Sequence, residues 1–422
     1  MGQGAIAVIG AGIVGLATAY HLHIDGQRVT VIDPSPEGDK TSYGNAGGIA
    51  VTEVVPASVP GLIWKIPGWL FDPLGPLAVR PAYAPRLIPW LHAFLKAGTT
   101  TEVARITTAL AVLNRRVYDD LLPMLAATGL AGELHRRGAL TVYESEEAYR
   151  RDRAEWSLKR SHGIQADYLN GAEVRALEPA LGPAVACGVF TPQWSHVSDP
   201  RRLAEGLRQW LLANGVTVRT GRVVDIEPQV SGSVDLRLEG NETFRCANAV
   251  VAAGAWSGSL VRQLGDRVQL ESERGYNTTL PDSGVNLSRE VIFAERKFVA
   301  TPLAPGLRIG GAAEFGGLDA TANYKRSDAL VRLAAMYLPG LNAQGGVRWA
   351  GHRPATSDSL PVIGRSARHP EVLYAFGHGH LGLTLAATTG RIVADLLAGR
   401  SPSTDLTPYS IARFQKNTPR HA

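Results

Sequence analysis

Residues 8–33, VIGAGIVGLATAYHLHIDGQRVTVID, place a cluster of three glycines after a short apolar run and close a second apolar run on an acid. The run Ala5-Ile6-Ala7-Val8-Ile9 reads as a buried parallel strand, and Ile13 onward, with Ala17, Leu22 and Ile24, reads as the helix packed on it. Gly10, Gly12 and Gly15 then fall in the turn and the first helical turn. Gly10 permits the sharp bend, Gly12 lets a pyrophosphate approach the backbone, and Gly15 lets the helix sit close to the strand. The helix N-terminus at Ile13 and Val14 offers free N–H groups to phosphates. A second strand over residues 28–32 ends at Asp33, 21 residues after Gly12. That spacing suits an acid on a ribose with a free 2′-hydroxyl, which favours FAD or NAD over NADP.

A chain of 422 residues is too long for one compact core and predicts two domains. Lys and Arg total 43 against 38 Asp and Glu, and no dense basic block appears, so nucleic-acid binding is not suggested. Cys187 and Cys246 lie in no C-x-x-C pair and beside no histidine ligand pattern; no metal site is expected, and they read as two buried thiols of a reducing, cytoplasmic setting. The nucleotide strand begins after four residues, leaving no room for a cleavable leader, and no apolar run is long enough to span a bilayer.

Residues 56–97 are rich in Pro, Trp and Leu, and prolines at 60, 67, 73, 76, 81, 85 and 89 are expected to cut the stretch into short pieces. Two readings stand: ordinary domain packing, or an exposed apolar surface for a membrane or quinone. Helical patterns run from about Thr101 to Ala127 and from Glu146 to Gly163; another begins at Ser198-Asp199-Pro200, with Ser or Asp as cap and Pro at the first position. Strands are expected at Val216–Thr220, Val223–Glu227, Val234–Glu239 and Ala249–Ala252, the last leading into a second small-residue turn, VVAAGAWSG. Near the end, FGHGHLGLTLAATTGRIVADLLAG reads as strand, glycine-rich turn and buried helix, whose N-terminus faces something anionic, such as the N1–C2=O region of a reduced flavin.

Five segments, VIGAGIVGLATAYHL, TSYGNAGGI, VVAAGAWS, GHRPATSDSLPVIG and FGHGHLGLTLAATTGRIVADLLAG, occur in this order across nearly the whole chain. Together they resemble the FAD-dependent D-amino-acid oxidase and dehydrogenase family, with the strongest likeness to its bacterial D-amino-acid dehydrogenase branch. The resemblance implies an α/β and α+β fold in which a Rossmann-like FAD-binding domain (1–50, 188–260 and 346–418) is interleaved with a mixed-sheet substrate domain (51–187 and 261–345). It implies non-covalent FAD, since no cysteine lies near Arg353 or the final helix. By position, Gly10, Gly12, Ile13, Val14, Gly15 and Asp33 would hold the ADP half, and Ser42, Asn45, Ala46 and Gly47 would border the pyrophosphate and ring. Val223 would meet adenine, Gly254 would give the second backbone approach, and Gly379, Leu381, Gly382 and Thr384 would meet the flavin.

Arg353 resembles the family's carboxylate-binding arginine, a role that a bidentate guanidinium fits. Tyr276 either faces the flavin or is a half-buried strand tyrosine; His352 and His380 are substrate-side candidates, and His378 could instead shape the flavin loop. The turn lacks the further arginine that glycine oxidase and its relatives carry there. Gln193, His196 and Phe298 are placed near the substrate by position alone. The implied reaction is oxidative deamination of a D-amino acid, with hydride transfer from Cα to flavin N5, no dedicated base, and electrons passed to a quinone or another acceptor. Alternatives are a D-proline, hydroxy-D-proline, glycine or sarcosine enzyme, and a flavin-bearing subunit of a larger electron-transfer assembly. Peripheral contact with the inner membrane is expected alongside a cytoplasmic location.

Overall fold

The computed structural model describes residues 4–72 and 75–415. Pro73 and residues 416–418 of the expected FAD-binding segments lie outside the described residues, as do residues 1–3. Strand Ile6–Ile9 lies inside a six-stranded sheet ordered Thr217–Thr220, Val29–Asp33, Ile6–Ile9, Asn248–Val251, Val372–Phe376, Val362–Arg365. The first five strands are parallel and the last returns antiparallel. All four residues of Ile6–Ile9 are buried, which explains its uninterrupted apolar sequence.

One face of this sheet is covered by helices Ile13–Ile24, Pro200–Ala213 and Gly382–Leu397, whose buried side chains form one core with those of helices Thr100–Arg115 and Val117–Ala127. The other packs on a three-stranded antiparallel sheet of Val223–Pro228, Val234–Leu238 and Thr243–Cys246. Helix Pro200–Ala213 starts as its sequence predicts, with the Asp199 carboxylate accepting from Arg201 N at 3.0 Å. The pattern over 101–127 resolves into two helices because the chain tightens at Arg116, whose N–H bonds Leu113 O three residues back.

The second sheet runs Val347–Thr356, Leu270–Leu280, Gly306–Phe315, Phe298–Leu303, Glu290–Phe293, Ala139–Tyr143, Cys187–Thr191, Asp167–Asn170, with Leu77–Val79 added beside Gly306–Phe315. It is mixed: Glu290–Phe293 runs parallel to Ala139–Tyr143, whereas its partner on the other side is antiparallel. Strands Cys187–Thr191 and Val347–Thr356, from segments expected to be FAD-binding, pair into this sheet, and the helices over 100–127 pack on the nucleotide side. Composition does not reveal which sheet a strand joins.

Pro67 and Pro89 lie inside helices Leu62–Phe71 and Ala84–Ala97, a correction to the expectation that prolines cut this stretch. The carbonyls they leave unpaired belong to the exposed residues Ile63 and Pro85, where water can satisfy them. In this stretch Leu87 and Trp90 pack with Phe315 and Ala355, whereas Ile63, Trp64, Leu70 and Ile88 are exposed. Cys187 and Cys246 are both buried thiols, and among the described residues no helix is long and apolar enough to cross a membrane.

Helices Ile13–Ile24 and Gly382–Leu397 meet where Gly390 has no side chain: a Cβ there would lie 2.6 Å from Ala17 O. Replacing Gly390 by alanine gains about 0.5–1 kcal/mol of helix propensity, but overpacking against backbone costs about 1–3 kcal/mol, so the clash wins. Gly390→Ala is expected to lower unfolding free energy by about 1–2 kcal/mol in urea titration; equal or greater stability would contradict this packing.

Candidate active site

A cavity of about 1640 Å³ lies between the C-terminal ends of the parallel strands and the large sheet, well above the ~300–1,000 Å³ of a single small-molecule pocket. At one end is the glycine turn. Gly10 has φ +114°, and a Cβ there would sit 2.5 Å from Ala252 O; a Cβ on Gly15 would collide with Gly10 O. These two glycines serve the chain's own packing. At Gly12 only Ser42 Oγ comes within 4 Å of the Cβ position, at 3.6 Å, so this backbone is open to a group in the cavity.

Asp33 lines the cavity, accepts from Ala11 N at 2.8 Å and Ser35 N at 2.9 Å, and pairs with Lys40 at 3.2 Å. Ser42 Oγ accepts from Ile13 N at 3.0 Å, capping the helix from 29 residues away. Val14, Asn45, Ala46, Val223 and Gly254 also line the cavity, the last with φ +55°. Gly47 does not line it: with φ +97° its carbonyl turns to Val197 N, and its N–H is held by Asn45 Oδ1 at 2.8 Å. Thr384 is likewise behind the wall, its Oγ1 accepting from Ala50 N at 2.9 Å. Gly379, Leu381 and Gly382 line the cavity at the start of helix Gly382–Leu397. An open glycine backbone, an acid 21 residues on, and a second helix N-terminus along one cavity fit an extended dinucleotide.

The same cavity is lined by Arg353, His352, His380 and Tyr276. Arg353 Nη1 donates to Glu273 Oε1 at 2.7 Å and to Ala312 O at 3.0 Å, and Nη2 to Gly311 O at 3.3 Å. His380 Nε2 lies 2.8 Å from the same Glu273 oxygen. Burial pushes the Glu273 carboxyl up, but His380 and Arg353 outweigh it and hold it down at about 2. His352 is wedged between Ser272 Oγ, 2.6 Å from Nδ1, and Arg274, 3.3 Å from Nε2. Burial, then Arg274, lowers it to about 4, and burial alone lowers His378, bonded to Thr389, to about 3. Both are neutral near pH 7. The Tyr276 hydroxyl is committed, donating to Glu314 and accepting from Asn323 N at 3.0 Å.

Phe298 lines the cavity; Gln193 and His196 do not, which corrects their placement. Gln193 bonds the 163–165 turn instead, and the His196 ring lies tilted against that of His135 beside a separate small pocket. Sequence reasoning missed Glu273 and Glu290. Glu290 is buried, bonded to Trp194 Nε1 at 3.0 Å and raised by burial to about 8. Glu273 sits in a strand that also carries Glu271, Ser272 and Arg274, so nothing local singles it out, and its meaning depends on register: Glu273 stands directly opposite Arg353.

The family model for DAO, FAD-dependent oxidoreductases, matches residues 5–396. A protein of Bradyrhizobium diazoefficiens named D-amino-acid oxidase is 36% identical over 418 residues, covering 97% of this chain and 98% of that protein. D-amino acid dehydrogenase 2 of Ralstonia nicotianae is 32% identical over 434 residues, covering 97% and 100%. Among solved structures, glycine oxidase from Geobacillus kaustophilus superposes with a TM-score of 0.73 at 22% identity, covering 97% of this chain and 99% of that one. L-proline dehydrogenase from P. horikoshii superposes with a TM-score of 0.74 at 18% identity, covering 99% of each chain. The chain therefore belongs to the DAO family of FAD-dependent oxidoreductases.

Proposed function

We propose that the chain oxidatively deaminates D-amino acids, and the observation that carries this reading is Arg353 at the cavity wall, within the same cavity as the glycine turn. The relatives named D-amino-acid oxidase and D-amino acid dehydrogenase support the handedness. The ADP half of non-covalent FAD is assigned to the backbone at Gly10, Gly12, Ile13 and Val14, to Asp33, and to Val223 and Gly254; the ring is assigned to Asn45, Ala46, Gly379, Leu381 and Gly382, with Gly15, Ser42, Gly47 and Thr384 shaping those walls. Neither cysteine lines the cavity, in keeping with non-covalent binding. When bound, FAD supplies the two-electron acceptor that takes a hydride from Cα.

The chain's part is placement. Arg353, whose Nη groups also donate to Glu273, Ala312 O and Gly311 O, offers its remaining N–H donors to the carboxylate and thereby sets Cα in the cavity. The first N–H groups of helix Gly382–Leu397 favour negative charge at their end of the cavity. His352 and His378 are held neutral within hydrogen-bonded niches, so neither is assigned as a base. The substrate domain is best drawn along the large sheet, with 187–191 and 347–356 included and the helices over 100–127 assigned to the FAD side. Electrons pass to a quinone or another acceptor. Exposed Ile63, Trp64, Leu70 and Ile88, the first three on a helix that also lines the cavity through Leu62 and Ile66, support peripheral contact with an apolar membrane surface.

With D-amino acid and an artificial dye, Arg353→Ala is expected to raise KM about 100-fold with FAD retained, because one partner of a buried charged contact is removed; an unchanged KM removes Arg353 from the site. The Trp64→Ser/Ile88→Ser double variant is expected to lose sedimentation with phospholipid vesicles while keeping dye-linked turnover, and undiminished vesicle binding would overturn the membrane contact.

A further inference from the structure

Arg353 does not face the cavity as a lone cation. Glu273 stands opposite it on the neighbouring antiparallel strand, within the same cavity wall, and their side chains meet at 2.7 Å. The Glu273 side chain is 13% exposed, so this is a fixed anion with little water around it. Its Oε1 is shared by Arg353 and His380, while Oε2 has no hydrogen-bond partner among the described residues. A carboxylate can accept about four hydrogen bonds, and one whose second oxygen is left over at a cavity wall retains capacity for a donor from within the cavity.

A fixed anion beside the guanidinium weakens capture of a simple carboxylic acid, since like charges repel across a poorly solvated gap. The same anion is complementary to a ligand that brings its own cation. An α-amino acid carries ammonium and carboxylate on one carbon, and Arg353 and Glu273 present opposite charges side by side on adjacent strands. We propose that Glu273 is the ammonium anchor of the substrate site, Oε2 accepting from the substrate nitrogen while Arg353 holds the carboxylate, so that the site selects zwitterions over acids lacking the amine. This specificity role rests on the amino-acid oxidation proposed above. A carboxyl held as acidic as this one accepts a hydrogen bond without taking the proton, so Glu273 binds the nitrogen and is not the base that deprotonates it.

The test compares two matched pairs on the FAD-loaded enzyme: D-alanine with propionate, and D-proline with cyclopentanecarboxylate. Dissociation constants for the amino acids come from the saturation of flavin bleaching in anaerobic rapid mixing, and those for the acids from perturbation of the flavin spectrum. In Glu273→Gln the amino acid that bleaches is expected to bind about 10- to 100-fold more weakly, while its matched acid binds equally or more tightly. Weakening of both by the same factor would overturn the proposal and leave Glu273 as a residue that only positions Arg353. If the variant does not retain flavin, the unmodified enzyme decides: the amino acid should bind at least about 10-fold more tightly than its deaminated acid, and equal binding overturns the proposal. Failure of every ligand to perturb the flavin of the unmodified enzyme would instead remove the underlying amino-acid reading.

Discussion

Arg308 ties the two halves of the molecule together. It projects from strand Gly306–Phe315 of the large sheet and donates Nη1 to Tyr43 O at 3.0 Å and to Asn45 O at 2.6 Å, with Nε on Thr279 Oγ1 at 3.0 Å. A buried guanidinium satisfied by main-chain carbonyls is directional: it holds the loop after the second nucleotide strand at a fixed height over the large sheet. Asn277 Nδ2 adds a bond to Gly44 O at 2.8 Å, and Thr384 fastens the far end of the same loop to the final helix. This seam is one of the contacts that set the distance between the glycine turn and the strand that carries Arg353.

The second crossing point is strand Val347–Thr356. It is paired along its length with Leu270–Leu280, yet Ala355 also bridges to His378 in the turn before the final helix. His352 and Arg353 are therefore carried on a rigid sheet element that touches the turn before the final helix directly, which suits a site whose main task is orientation. The charges around them are arranged as a chain, Arg353 to Glu273 to His380, and the buried carboxylate at its centre is stabilised by both neighbours at once.

The features legible in the sequence are local ones. The three glycines, the acid at position 33, the Asp199-Pro200 start and the glycine-rich turn before the final helix each depend on neighbours within about 20 residues, where propensity and spacing speak directly. What was not legible depends on register between distant segments. Glu273 and Arg353 are 80 residues apart, and only strand pairing makes them partners. Pro67 and Pro89 read as breakers because proline lacks the N–H for the i−4 carbonyl, and here the carbonyls left without that donor belong to exposed residues that water can reach. Gln193 and His196 are placed near the substrate by position alone, but strand Ser195–Val197, which carries His196 and pairs with Gly48–Ile49, does not line the cavity.

The most direct measurement is anaerobic mixing of the purified yellow protein with D- and L-amino acids separately, both prolines included, while following the oxidised-flavin absorbance. Loss of absorbance with D-amino acids and not with their L-counterparts is the expected result. Bleaching by L-amino acids alone, or none from a protein that carries flavin, would contradict D-amino-acid oxidation at Arg353.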